Sequence, residues 1–485
     1  MNYRALPLVL LLVLLPGTLH AQQPPRYNVL FLISDDLRTE CTCYGGLAKT
    51  PNVDALAAAG VRFDRAYCQF PLCNPSRSSM LTGRYPTSTG VLGNRTAFRT
   101  AHPDWVTLPQ HFKDNGYISY RCGKIFHGGI DDPKAWSQRG DAPDEPRTQL
   151  DADVFRPLYA AMQVGPTTWP MAGDEQLTQA QRSDRWIVLS DDVDHPENRV
   201  ADQTIQFMRR NRDKPFFIGC GFSKPHSPPT APKRFYDLYD VERIPLPPDY
   251  APRPTVPEGF PRGAIRPRNA DLFINRDSTP QTAREMIRAY LASCSWMDWN
   301  VGRVIAALDE LGLRERTIIV FWGDHGYQLG EKGKWSKAGS LFEAGARVPF
   351  IVIAPGAIGN GQSCARVVEM VDLYPTLVEL CGLPKPDGLE GRTIASLLND
   401  PKQPWDHPAY TCWSEDGQTL TGVAVRTERW RYAEYTLGGA MLLDTENDPH
   451  EMKNLAGDTK YTDHVAQLSP LVRKYAEKIP GSLGR

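Results

Sequence analysis

Five short apolar runs punctuate the chain: YNVLFLIS (Tyr27–Ser34), GYISYRCG (Gly116–Gly123), KPFFIGCGF (Lys214–Phe222), TIIVFWG (Thr317–Gly323) and VPFIVIAPG (Val348–Gly356). Each is rich in β-branched or aromatic residues and bounded by turn formers, so each reads as a buried strand. Between them lie helical patterns such as TPNVDALAAAG, DWVTLPQHFKDNG and AREMIRAYLASCSWMDWNVGRVIAALDELG. Apolar strands alternating with helices predict an α/β fold with a large, mainly parallel sheet sandwiched by helices. Around Asn399–Pro404 the pattern changes. TGVAVRTERWRYAEYTL and GAMLLDTENDP read as antiparallel strands joined by turns, with a closing helix near Asp463–Lys478. The expected division is a leader at 1–21, a main domain over 22–400 and a smaller antiparallel-sheet domain over 401–485. Residues 131–200 and 225–285 are rich in Pro, Asp and Arg and lack periodicity; they are either walls of a substrate pocket or surface decoration.

The opening MNYRALPLVLLLVLLPGTLHAQQ has a basic start, an apolar run from Leu6 to Leu15 and small or polar residues up to Ala21. The run is short for a bilayer span and reads as a secretory signal cleaved after Ala21. The expectation is an exported protein, periplasmic or secreted, with no stable membrane insertion. A net charge of −1 over 485 residues argues against nucleic-acid binding through bulk positive charge, so any anion recognition is local. Ten cysteines permit disulfides without forming a dense framework.

Open parallel sheets bind ligands beyond the carboxyl ends of their strands. Here that edge is unusually polar. The first strand ends in Ser34-Asp35-Asp36, the second runs into Lys124 and His127, and the third into Lys224-Pro225-His226. The fourth ends in Asp324-His325-Gly326, with Lys337 following in LGEKGKWSKAG. Each piece alone has a bland reading as a turn, a cap or a solvated loop. Packing gives no reason for all of them to share one edge. Three carboxylates converging without cysteine-rich ligation suit a hard divalent cation, calcium or magnesium. With Arg77, Lys124 and Lys337 around it, such a centre suits a small oxygen-rich anion such as sulfate or phosphate.

The stretch FPLCNPSRSSMLTGRYP places Cys73 in front of a helix start, with Pro75 in its first turn and Arg77 on the same face as the thiol. Cys73-Asn74-Pro75-Ser76-Arg77, followed by SSMLTGRYP, closely resembles the signature of the type I sulfatases, members of the alkaline-phosphatase superfamily. The resemblance runs from the Asp-Asp strand to DTENDPHEMKNLA near the C-terminus. It implies that a maturing (formylglycine-generating) enzyme oxidises Cys73 to formylglycine, whose hydrate is the nucleophile. It further implies one Ca²⁺ per chain held by Asp35, Asp36, the residue at position 73, Asp324 and His325. Asp324 would take the proton of the attacking hydroxyl, while Lys124 and Lys337 neutralise sulfate oxygens and Arg77 steadies the nucleophile. His226, with Lys337, would protonate the leaving alkoxide, and His127 would release sulfate.

Two variants narrow the resemblance. Lys124-Ile125-Phe126-His127 stands where many sulfatases have Lys-x-His, and Asp324-His325 where many have Asp-Asn. With DDLR, GKIFH, KPH and LGEKGKWSK they look like the iduronate-2-sulfatase branch. This implies a sulfated glycan substrate, attacked at a 2-O-sulfated uronic acid at the chain end. The alternatives are another polysaccharide, such as an algal one, or a phosphate or phosphonate monoester.

Overall fold

The computed structural model describes residues 26–137, 163–164, 178, 183–191 and 195–484. The leader and most of the first aperiodic region lie outside these residues. Seven strands form the ordered path of the large sheet: β1 (Asn28–Asp35), β2 (Val61–Tyr67), β3 (Ile118–Gly123), β4 (Phe216–Pro225), β5 (Thr317–Gly323), β6 (Phe350–Ile353) and β7 (Ser363–Glu369). Their spatial order is β7-β2-β6-β5-β1-β4-β3, and an eighth short strand, Arg347–Val348, pairs with β2. β1 is parallel to both neighbours, whereas β6 runs antiparallel to β2 and β5.

β1 shows why the sheet is covered on both faces. All eight of its residues are buried. Alternate side chains point to opposite faces. Leu30 and Leu32 join a core with α1 (Pro51–Ala59), α3 (Pro196–Asn211) and α4 (Pro280–Glu310). Val29, Phe31 and Ile33 join a second core with α2 (Cys73–Thr82) and with Phe112, Leu373 and Leu377. Each buried Phe or Leu of this kind contributes about 1.5–3 kcal/mol relative to exposure.

Two strands escape the apolar-run pattern. β2 alternates buried and part-exposed residues, with Arg62 paired to Asp64 at 2.8 Å. β7 opens on exposed Ser363. Both lie toward one side of the sheet, where one-sided polarity is tolerated.

A separate sheet is a meander of β8 (Ala409–Trp413), β9 (Gly422–Arg426), β10 (Trp430–Tyr435) and β11 (Ala440–Asp444). Helix α5 (Thr462–Ala476) packs on it through Leu468, Val472 and Tyr475. A buried charge network ties this sheet to the rest. Arg431 reaches Glu343 at 2.6 Å and Glu451 at 2.9 Å, and Arg426 reaches Glu343 at 2.8 Å. All ten cysteines are unpaired. Among the described residues no helix is long and apolar enough to cross a membrane.

Candidate active site

Parallel register delivers the polar strand ends to one level. Ser34 pairs with Gly323 on one side and Phe222 on the other, and Gly123 pairs with Gly221. The residues that follow therefore leave the same edge together. Asp36 adopts a left-handed backbone (φ 62°). Its N–H donates to Asp324 Oδ1 at 3.1 Å, and its carbonyl accepts from Tyr290 of α4 at 2.6 Å. Asn and Asp tolerate this conformation better than most residues.

Cys73 is the first residue of α2 rather than the residue before it, and the whole helix is buried. Its Sγ lies 3.3 Å from Asp35 Oδ1 and 3.3 Å from His325 Nε2. Ligating atoms of Asp35, Asp36, Cys73 and His325 all lie within 4.8 Å of one another. His325 Nδ1 donates to the Gly326 carbonyl at 3.1 Å, leaving the Nε2 lone pair toward the cluster. Asp324 flanks this quartet, its Oδ2 3.4 Å from His325 Nε2. Its oxygens are already engaged, Oδ1 by the Asp36 and His325 amides and Oδ2 by Arg77 Nε at 2.9 Å.

The charges around the quartet are uneven. Burial raises the Asp35 pKa, but Lys124, then Arg77, outweigh it and hold the carboxyl well below its ordinary value. Asp36 goes the other way. Burial pushes it well above the ordinary value despite Lys337 at 2.9 Å, and its Oδ1 has no hydrogen-bond partner. A buried carboxylate oxygen left in this state fits a cation better than a void. Burial opposes charge on His325, but Asp324 foremost and then Cys73 raise it to about 10. A dication at Nε2 would take the place of that proton. Two carboxylates, an imidazole and an oxygen in place of the Cys73 sulfur make a donor set suited to a hard cation.

The cationic groups gather around it. Arg77 is wholly buried; besides Asp324 it faces Asp35 at 3.4 Å and donates to the Ile125 carbonyl at 3.0 Å. Lys124 pairs with Asp35. Lys337 bridges Asp36 and Asp271, the latter at 3.6 Å. His226 Nε2 is 4.0 Å from Asp36 Oδ2, and its Nδ1 donates to the Ser227 carbonyl at 2.7 Å. Burial and Lys337 hold His226 well below 6.5. His127, lowered to about 4 by burial and then Lys124, has a buried Nδ1 without a hydrogen-bond partner.

Of the charged residues singled out at the strand ends, Asp35, Asp36, Lys124, His226, Asp324, His325 and Lys337 are joined by contacts of 4.0 Å or less. His127 is linked to them through the charges of Lys124 and Asp35. Lys224 is the exception. That lysine turns away and donates to the His226 and Pro228 carbonyls at 3.1 and 2.9 Å, holding the turn that carries His226. Asp271 and Tyr290 were not foreseen. Asp271 sits in the aperiodic stretch, and Tyr290 lies inside a helix whose pattern says only that it is buried.

The family model described as "Sulfatase" matches residues 27–383, and one described as "N-sulphoglucosamine sulphohydrolase, C-terminal" matches 330–478. The chain belongs to the sulfatase family. It is a sulfuric ester hydrolase of the type I sulfatase class, resembling the iduronate 2-sulfatases. Human iduronate 2-sulfatase is 34% identical over 408 residues, covering 74% of this chain and 70% of the relative. A sulfatase of Formosa agariphila is 32% identical over 463 residues, covering 92% and 86%. In fold, the phosphonate monoester hydrolase of Agrobacterium radiobacter superposes with a TM-score of 0.74 at 22% identity, covering 94% of this chain and 96% of that one.

Proposed function

We propose that this sulfatase removes the 2-O-sulfate from a uronic acid at the end of a sulfated glycan, after oxidation of Cys73 to formylglycine by a maturing enzyme. The observation that carries the reading is the Cys73 sulfur, which touches both Asp35 and His325 at the start of a buried helix and is ringed by Arg77, Lys124 and Lys337. The identity to human iduronate 2-sulfatase and the Lys124–His127 and Asp324-His325 variants support the uronate.

When present, a hydrated aldehyde at position 73 supplies two hydroxyls on one carbon, and a calcium ion held by Asp35, Asp36, Asp324, His325 and position 73 draws charge from a sulfate oxygen. Asp324, fixed by Arg77, accepts the proton of the attacking hydroxyl. Lys124 and Lys337 offset charge on the sulfate oxygens as it develops. Because His226 Nδ1 donates to a carbonyl, it can hand a proton to the leaving alkoxide only from Nε2 of its imidazolium, a form that burial and Lys337 confine to acidic pH; above that range Lys337 carries the duty. His127, neutral through burial and Lys124, takes up the proton whose departure frees sulfate.

Sulfate release from defined sulfated mono- and disaccharides tests the reading, with 2-O-sulfated uronates expected to lead. Activity confined to aryl sulfates would overturn the uronate assignment. The fold shared with a phosphonate monoester hydrolase favours a second reading, in which phosphonate or phosphate monoesters are the substrate. Turnover of sulfate, phosphate and phosphonate esters of one alcohol separates the two.

A further inference from the structure

We infer that Arg95 binds the second anionic group of the substrate, the carboxylate of the sulfated sugar; the inference rests on the uronate reading above. Arg95 lies in a short loop fastened to Asn74, the residue after the nucleophile position. The Asn74 amide donates to Asn94 Oδ1 at 3.1 Å, and Asn74 Nδ2 donates to the carbonyls of Gly93 and Thr96, each at 2.8 Å. Ser78 donates to the remaining Asn74 oxygen at 3.2 Å. Asn74 therefore grips the chain on both sides of Arg95 and fixes it beside the start of α2. The loop also abuts the second sheet, since a Cβ on Gly93 would lie 3.8 Å from Gly417 Cα. Trp413, four residues before Gly417, packs on Phe70 just ahead of Cys73, with ring centroids 5.5 Å apart.

Several other cations on this side of the site are already engaged. Arg99 holds Asp132 at 2.7 Å, Arg266 holds Glu415 at 2.6 Å, and Lys337 holds Asp36 and Asp271. Arg77 and Lys124 are paired with carboxylates of the quartet and Asp324. Arg95 is exposed and makes no hydrogen bond or ion pair with any described residue. A sulfated uronate carries two charges, and the inner cluster is arranged for one of them. A guanidinium matches a carboxylate with two parallel hydrogen bonds, which a lysine does not.

The test uses two 2-O-sulfated disaccharides that differ only in the terminal uronate, left as the acid in one and reduced to the hydroxymethyl sugar in the other. The quantity read is the acid-to-reduced ratio of kcat/KM for each enzyme. The wild type is expected to favour the acid. Arg95→Ala is expected to lower that ratio by about tenfold, mainly through KM for the acid, with Arg95→Lys keeping part of it. A merely loosened loop would slow both substrates and leave the ratio unchanged; that result overturns the role of Arg95 while the uronate reading stands. A wild type that cleaves neither disaccharide but cleaves other sulfate esters overturns the uronate reading and Arg95 with it.

Discussion

Arg77 Nε lies 2.9 Å from Asp324 Oδ2, with both side chains shut off from solvent. Breaking such a pair leaves an uncompensated buried charge. Arg77→Ala would strand Asp324 and weaken the hold on Asp35 together. Urea unfolding is expected to show a loss of about 3–5 kcal/mol along with loss of sulfatase activity. An unchanged midpoint would mean that the guanidinium does not neutralise these acids.

His226 is expected to matter in proportion to how badly the leaving group needs a proton. At acidic pH, where its imidazolium forms, His226→Gln should slow an alkyl sulfate far more than nitrophenyl sulfate, whose phenolate leaves unaided. Comparing kcat/KM for the two esters checks this. Equal losses would take the acid role away from His226.

His127 must be neutral to accept a proton, and burial with Lys124 lowers it from 6.5 to about 4. The sign follows: sulfate release persists as pH falls through 6 and fails only as pH drops through about 4. His127→Ala should show a burst of nitrophenol followed by slow turnover, because ester cleavage survives while release stalls. Stopped-flow traces without a burst would place the histidine elsewhere in the cycle.

Much of this centre was legible from strand ends alone. A parallel strand that ends in Asp35-Asp36 has a fixed edge, and register then forces Asp324 and Lys124 to share it. What the residues could not carry was direction and partner choice. VPFIVIAPG reads as a strand, yet nothing in it says that Phe350–Ile353 runs against its neighbours. Val61–Tyr67 was hidden because Arg62 and Asp64 dilute its apolar face. Asp271 approaches Lys337 from a segment without periodicity, and only the folded chain brings them to 3.6 Å.

Glu369 and Asp372 form a buried acidic pair. Burial foremost raises both well above the ordinary carboxylate range, and the Asp372 charge adds to the shift of Glu369. Glu369 accepts hydrogen bonds from Tyr85 at 2.6 Å and from the Tyr410 amide at 2.8 Å. The folded state therefore keeps protons that the unfolded chain gives up near pH 4. This contribution to stability is full below about pH 4 and is lost as pH rises toward the raised folded values. Glu369→Gln should flatten the fall of Tm between about pH 5 and 8. An identical Tm profile in the variant would show that the pair does not titrate in this range.

The most direct measurement is sulfate release plotted against the fraction of residue 73 converted to the aldehyde. That fraction is read from the mass of the peptide carrying it in preparations made with and without a maturing enzyme. Turnover is expected to rise in proportion to the aldehyde and to vanish with it. Full turnover by protein that carries only the thiol would contradict the account.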